Sequence, residues 1–239
     1  MLRRVTQLYE FTIHAMDGDV GKVRDFFFDD ESWTVRYLVV DTGSWLFGRR
    51  VLLSPMALKW PDWEGEVLPV TLTREQVENS PEVDLDKPVS RQMEEDLHGY
   101  YGWSPYWRPG VPGLGLGALA VAGMIAGAGE EESTTQEQRE DPHLRSTREV
   151  IGYHLQATDG ELGHVEDFYV SERDWVIQYM LVDAGDWSPG RKVLVAPDWI
   201  ATVSWPKSTV YVGLAREKVK ECVKGAGIVT QSGWSRPEE

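Results

Sequence analysis

Residues 17–55 read DGDVGKVRDFFFDDESWTVRYLVVDTGSWLFGRRVLLSP, and residues 159–197 read DGELGHVEDFYVSERDWVIQYMLVDAGDWSPGRKVLVAP. A shift of 142 positions lays one on the other without a gap, with 17 identities in 39 positions. Asp17-Gly18 falls on Asp159-Gly160, Asp25-Phe26 on Asp167-Phe168, and Trp33 and Tyr37 on Trp175 and Tyr179. Asp41, Trp45 and Arg49 fall on Asp183, Trp187 and Arg191. The same offset continues through Trp63/Trp205, Val70/Val212, Arg74/Arg216 and Val77/Val219. Self-similarity at one fixed offset marks a duplicated structural unit.

Each copy reads as short strands. Asp17-Gly18 is a turn signal, because glycine accepts positive φ without steric cost. Gly21 to Phe28 and Trp33 to Val40 are rich in aromatic and β-branched residues, which favour strands. Val35, Tyr37 and Val39 share one face by two-residue periodicity, and Ile177, Tyr179 and Leu181 match them. Trp33 and Trp175 open the strongest strand of each copy and read as core. Arg49 to Leu53 is a further strand closed by Pro55, and a strand pair is expected within Met56–Val70. Thr73-Arg74-Glu75-Gln76 has capping-box spacing, so a short helix is expected to start there. Short strands with turns every 8–12 residues indicate a small barrel or sandwich.

The ordered pattern D-G-x-x-G-x-V-x-D-F, followed by W-x-x-x-Y-x-V-V-D-x-G-x-W-x-x-G-R-x-V-L-x-x-P, resembles the PRC-barrel domain. That family is known from the cytoplasmic domain of the photosynthetic reaction-centre H subunit and from the C-terminal domain of a ribosome maturation factor. The resemblance implies a mainly β fold: two small antiparallel PRC-type β-barrels in tandem, each with a short C-terminal helix, joined by a long irregular linker. The expected boundaries are 1–87 for the first barrel, 88–148 for the linker and 149–239 for the second barrel. The resemblance also implies a non-catalytic scaffold or adaptor that acts in macromolecular assembly or self-association. Two alternatives follow from the same family: an H-like role at a photosynthetic membrane complex, and an accessory role in RNA processing or ribosome assembly. The chain departs from both settings, since residues 1–30 hold no membrane helix and the barrel is duplicated.

The intervening stretch does not repeat. Met93 to Trp107 is aromatic, Gly110 to Gly129 carries no charge, and an acidic run begins at Glu130. Twenty uncharged residues match the length of a membrane span. Seven glycines, five alanines and a proline in those positions argue for a linker instead, since glycine disfavours helix by roughly 1 kcal/mol relative to alanine. The polar run to Arg145 reads as disordered. Integral insertion is therefore disfavoured, while contact with a membrane complex stays open.

Charge and chemistry narrow the partners. Asp and Glu number 39 against 24 Lys and Arg, a net charge of −15, which repels phosphate backbones and disfavours nucleic acid. One cysteine, Cys222, excludes an intrachain disulfide and a paired-thiol site. The N-terminus turns polar too early for a secretory signal, so a cytoplasmic location is expected, with peripheral attachment to an inner membrane open. No histidine pair has metal-ligand spacing, and no nucleophile elbow or phosphate-binding loop occurs. No enzyme activity, metal or cofactor is expected; protein partners are, with intrachain barrel pairing or a homo-oligomer as forms of self-association.

The duplicated polar residues read as structural. Asp17, Gly18, Asp159 and Gly160 are turn positions, as are Asp41 and Asp183 ahead of their loops. Asp25 and Asp167 lie mid-strand and are expected to bind a loop amide or the duplicated Arg49 and Arg191. Trp45 and Trp187, each in a loop between glycines, are candidate interface anchors, because a tryptophan buries a large area with few rotamers to freeze.

Overall fold

The computed structural model describes residues 1–46, 48–83, 88–107, 144–184 and 192–219. The chain divides into two compact units, Met1–Arg74 with His143–Glu239, and Glu75–Pro142. The two 39-residue copies, 17–55 and 159–197, both fall in the first unit.

The strands of the first repeat are β1 (Leu2–Arg4), β2 (Thr12–Ala15), β3 (Gly18–Asp29), β4 (Thr34–Asp41), β5 (Arg50–Leu53) and β6 (Val67–Pro69). Those of the second are β7 (Leu144–Ser146), β8 (His154–Ala157), β9 (Gly160–Ser171), β10 (Ile177–Asp183), β11 (Lys192–Val195), β12 (Ile200–Ser204) and β13 (Thr209–Val212). One sheet runs β5-β4-β3-β2-β6, and the other β11-β10-β9-β8-β13-β12. Among the described residues each sheet is an open path rather than a closed barrel. The pairing is also not wholly antiparallel. β6 runs parallel to β2, and β13 parallel to β8, because the chain crosses over before rejoining its first strand.

The two sheets exchange strands. β1 pairs with β9, with Leu2, Arg3 and Arg4 opposite Ser171, Val170 and Tyr169. β7 pairs with β3, with Leu144, Arg145 and Ser146 opposite Asp29, Phe28 and Phe27. Every position in one register maps onto the other by the 142-residue shift. Thr34 and Val176, also 142 apart, form an antiparallel bridge with each other. The repeats are thus related by a pseudo-twofold axis passing between Thr34 and Val176.

Strand periodicity explains the core. In β4 Val35 and Tyr37 are buried while Thr34 and Arg36 are partly exposed, and from Tyr37 to Val40 both faces are covered. Phe26, Phe28, Tyr37 and Phe168 have no exposed surface, and each such side chain contributes about 1.5–3 kcal/mol on burial. Phe28 and Phe168, one from each repeat, meet at 5.7 Å between ring centroids, so the core is continuous across the axis. Two glycines make the close approaches possible. A Cβ on Gly21 would land on the carbonyl oxygen of Asp41, and one on Gly163 on that of Asp183.

The segment expected to be an irregular linker contains structure at both ends. Leu144–Ser146 is β7, and Thr147–Val150 is a short helix capped by Ser146, whose hydroxyl accepts from the Glu149 amide. α1 (Arg74–Glu78) begins on the last residue of the first unit's first segment, and α2 (Arg91–Tyr101) follows in the second unit. Ser90 caps α2 at its start and Gly102, at φ 70°, closes it in the left-handed conformation. Glu94 on α2 is fully buried, pairs with Arg91 at 2.7 Å and accepts from the Tyr106 hydroxyl at 2.6 Å. His98 meets Trp107 edge-on at 4.8 Å. The aromatic run Met93–Trp107 is therefore a small helical module, not featureless chain. The Gly110–Gly129 stretch and the acidic run after it lie outside the described residues. Among the described residues no helix is long and apolar enough to cross a membrane.

Candidate functional site

The duplicated carboxylates stand at the junction of the repeats. In β3 the register steps from Val23 opposite Val40 to Asp25 opposite Val39, so Arg24 is an extra residue and forms a bulge. β9 carries the same bulge between Val165 and Asp167. A bulge re-aims the side chain beside it. It aims Asp25 toward the segment leading into the other repeat.

Asp25 accepts hydrogen bonds from the Ser146 hydroxyl at 2.5 Å, the Thr147 hydroxyl at 2.9 Å and the Arg148 amide at 3.2 Å. Asp167 accepts from Arg4 Nε at 2.7 Å, the Thr6 amide at 3.2 Å and the Thr6 hydroxyl. Each also accepts from the amide that follows it, Phe26 and Phe168 respectively. Thr6 and Arg148 are themselves 142 apart, so each aspartate grips the same place on the opposite repeat. Burial pushes the Asp25 carboxyl above its ordinary range, and the hydrogen bonds it accepts only partly offset this. Burial raises the Tyr9 hydroxyl too, well beyond its usual range; it lies 2.9 Å from the Thr147 hydroxyl. Burial works against the charge on Arg4, yet Asp167 outweighs it and holds the guanidinium above its ordinary value.

Those of the other candidate positions that are described make more local contacts. Asp17 accepts from the Arg74 amide at 2.7 Å and Asp159 from the Arg216 amide at 2.8 Å, so each fastens the turn that begins a helix. Gly18 and Gly160, at φ 143° and 149°, lie against the Arg74 and Arg216 side chains. Asp41 accepts from the Gly43 amide at 2.9 Å and shapes its loop. Asp183 ends β10 opposite Lys192. The Arg49 carbonyl closes the loop by accepting from both the amide and the hydroxyl of Thr42. Of Trp45 only the backbone is described, in the 3-10 turn Gly43–Leu46. Trp187 and Arg191 lie outside the described residues.

A surface feature escaped the sequence reading. A cleft of about 420 Å³ opens between the repeats, with Asp30, Glu31 and Trp33 on one wall and Asp198, Thr202 and Trp205 on the other. Arg145, carried there by the exchanged strand β7, bonds to Asp30 at 3.3 Å and lies 4.1 Å from the Trp205 ring centroid. The pseudo-twofold mate is present on the opposite side. Arg3 bonds to Glu172 at 3.1 Å and lies 4.2 Å from the Trp63 ring centroid. Nothing local announces this cleft in the sequence, since its walls come from segments some 170 residues apart.

Among known protein families, residues 3–76 match the PRC-barrel domain. No curated protein matches the chain.

Proposed function

We propose that the chain is a non-catalytic scaffold or adaptor, made of two PRC-type domains fused into one body, that acts in macromolecular assembly. The match over residues 3–76 covers the first domain. Three relations support reading residues 144–219 as a second domain of the same type. The sequence repeats at 142 positions, the strand registers repeat with it, and the bulge beside Asp25 recurs beside Asp167.

The reciprocal grip of Asp25 and Asp167 is the observation that carries the reading. Both carboxylates are spent on fastening strand to strand, which leaves them as fixtures of a rigid body rather than as acid and base. A rigid body with related faces suits a protein that positions other macromolecules. The acidic surface, at net charge −15, favours protein partners over nucleic acid. A cytoplasmic setting fits the same reading, including at the surface of a membrane complex.

Capture of the tagged chain from extract of its own cells, followed by mass spectrometry and nucleic-acid staining, tests this. Recovery of a protein complex in fixed stoichiometry is expected. Stoichiometric RNA, or a chain that turns over a small molecule while binding no protein, would overturn it.

A further inference from the structure

The two sides of the pseudo-twofold share a frame but differ in shape. On the cleft side, repeat two presents Asp198, Ala201 and Thr202. At the matching positions repeat one presents Met56, Lys59 and Trp60. The registers around them are the same: Leu58 pairs with Val70 as Ile200 pairs with Val212, and Asp62 with Val67 as Ser204 with Thr209. One side therefore has a hollow where a threonine stands, and the other has a projection where a tryptophan stands. Trp60 is 69% exposed and Met56 58%, the largest exposures of any tryptophan and of any methionine after Met1 and Met16 among the described residues. Exposed apolar pairs of this kind mark contact sites, and tryptophan is favoured as their anchor.

Charge follows shape. The hollow carries Glu31 and Asp198, while the projection carries Lys59, and Arg173 occupies the position that corresponds to Glu31. All four are exposed. We propose that the Trp60 projection of one copy seats in the Trp33–Trp205 cleft of a second copy, so that the chain self-associates head to tail. This deepens the assembly reading above and rests on it only in treating the chain as an assembly module. Trp60 lies against the two cleft tryptophans, and Lys59 and Arg173 meet Glu31 and Asp198. Different surfaces meet, so the contact is heterologous and leaves a free projection at one end and a free hollow at the other. The net charge of −15 opposes approach at long range, but at physiological ionic strength the Debye length is about 8 Å and contact pairing prevails.

Sedimentation velocity at physiological ionic strength, over a wide range of protein concentration, tests the proposal. The parent chain should associate with rising concentration. Trp60→Ala loses the projection and Thr202→Trp fills the hollow; each alone should associate at least about tenfold more weakly than the parent. Mixed in equal amounts they should form complexes of two chains and no larger, since one supplies the only hollow and the other the only projection. Asp198→Arg is a second hollow-side variant and should behave as Thr202→Trp does. All these positions are exposed, and circular dichroism checks that each variant is folded. A parent that stays monomeric, variants that associate as the parent does, or a mixture that forms no pairs would each overturn the proposal. A monomeric parent that still captures a protein complex from extract would overturn self-association alone and leave the scaffold reading standing.

Discussion

Trp33 and Trp175 each give their backbone carbonyl to the other repeat: Ile177 donates its amide to Trp33 at 2.7 Å, and Val35 donates to Trp175 at 2.9 Å. Both tryptophans hold positive φ, 54° and 58°, a conformation uncommon for any residue but glycine. Both side chains are 9% exposed. Trp175 stacks on Phe26 of the other repeat at 6.0 Å, and Trp33 stacks on Phe28 at 5.4 Å. Trp33→Ala or Trp175→Ala should cost about 3–5 kcal/mol. Because the repeats share a core, either change should lower one cooperative melting transition, measured by calorimetry, rather than split it in two. Two well-separated transitions would show independent domains.

Gly21 and Gly163 touch backbone, not flexible side chains. A Cβ at either place meets the carbonyl of Asp41 or Asp183, which is already committed to a strand end. Gly21→Ala and Gly163→Ala should therefore each destabilise by roughly 1–3 kcal/mol or more, since overpacking forces the backbone apart. Gly99→Ala, where a Cβ meets nothing, is the control. Urea titration of the three variants separates them.

Asp17 and Asp159 act as caps from a distance, each accepting from the amide at the start of a helical turn. Asp17→Ala and Asp159→Ala should cost about 0.5–2 kcal/mol, the range of a lost N-cap. The amides of Arg74 and Arg216 should lose protection from hydrogen exchange first. Unchanged protection there would remove the capping role.

The repeat, the strands and the helix beginning near Arg74 were legible because they are local: turn glycines, two-residue periodicity and capping spacing all act within a few residues. The exchange of β1 and β7 was not. Leu2-Arg3-Arg4 and Leu144-Arg145-Ser146 are three-residue strands, too short for periodicity to register. Their partners are set by a pairing some 120–170 residues away in the chain. The bulge at Arg24 likewise leaves no local mark, so a loop amide or Arg49 is the partner expected of Asp25, and the hydroxyls of Ser146 and Thr147, from which it accepts alongside the Arg148 amide, are not foreseeable. The helix α2 did leave one. Ser90 before its first turn and Gly102 just past its end are ordinary boundary residues. The stretch reads as linker despite its aromatic density because it lies between the repeats and does not itself repeat.

The raised pKa of Asp25 makes a signed prediction. Its proton is held more tightly in the folded chain than in the unfolded one. The stability it contributes is therefore complete below the ordinary carboxylate pKa of about 4 and is lost as pH rises through the folded value. Asp25→Asn cannot ionise and keeps the shape. The stability of the parent relative to this variant should fall as pH rises from about 4 through the raised value. Asp29 gives the opposite sign. Burial raises it, but the Ser32 and Glu31 amides and Arg36 outweigh burial and hold it low. Its contribution is present above pH 4 or so and is lost as pH falls through the lowered value. Denaturant titrations at stepped pH measure both, and a flat difference for Asp25→Asn would contradict the first.

Residue-resolved native-state hydrogen exchange on Asp167→Ala tests the union of the repeats most directly. Asp167 lies in the second repeat, is fully buried and holds Arg4 and Thr6 of the first. Its loss removes the nearer carboxylate of a partly buried cation and leaves the Thr6 amide without its acceptor, for a cost of about 2–4 kcal/mol. The slowest amides of β3 and β4 in the first repeat and of β9 and β10 in the second are expected to lose protection by the same free energy. Loss confined to β9 and β10, with β3 and β4 as protected as in the parent, would show two repeats that fold alone, and would contradict that union.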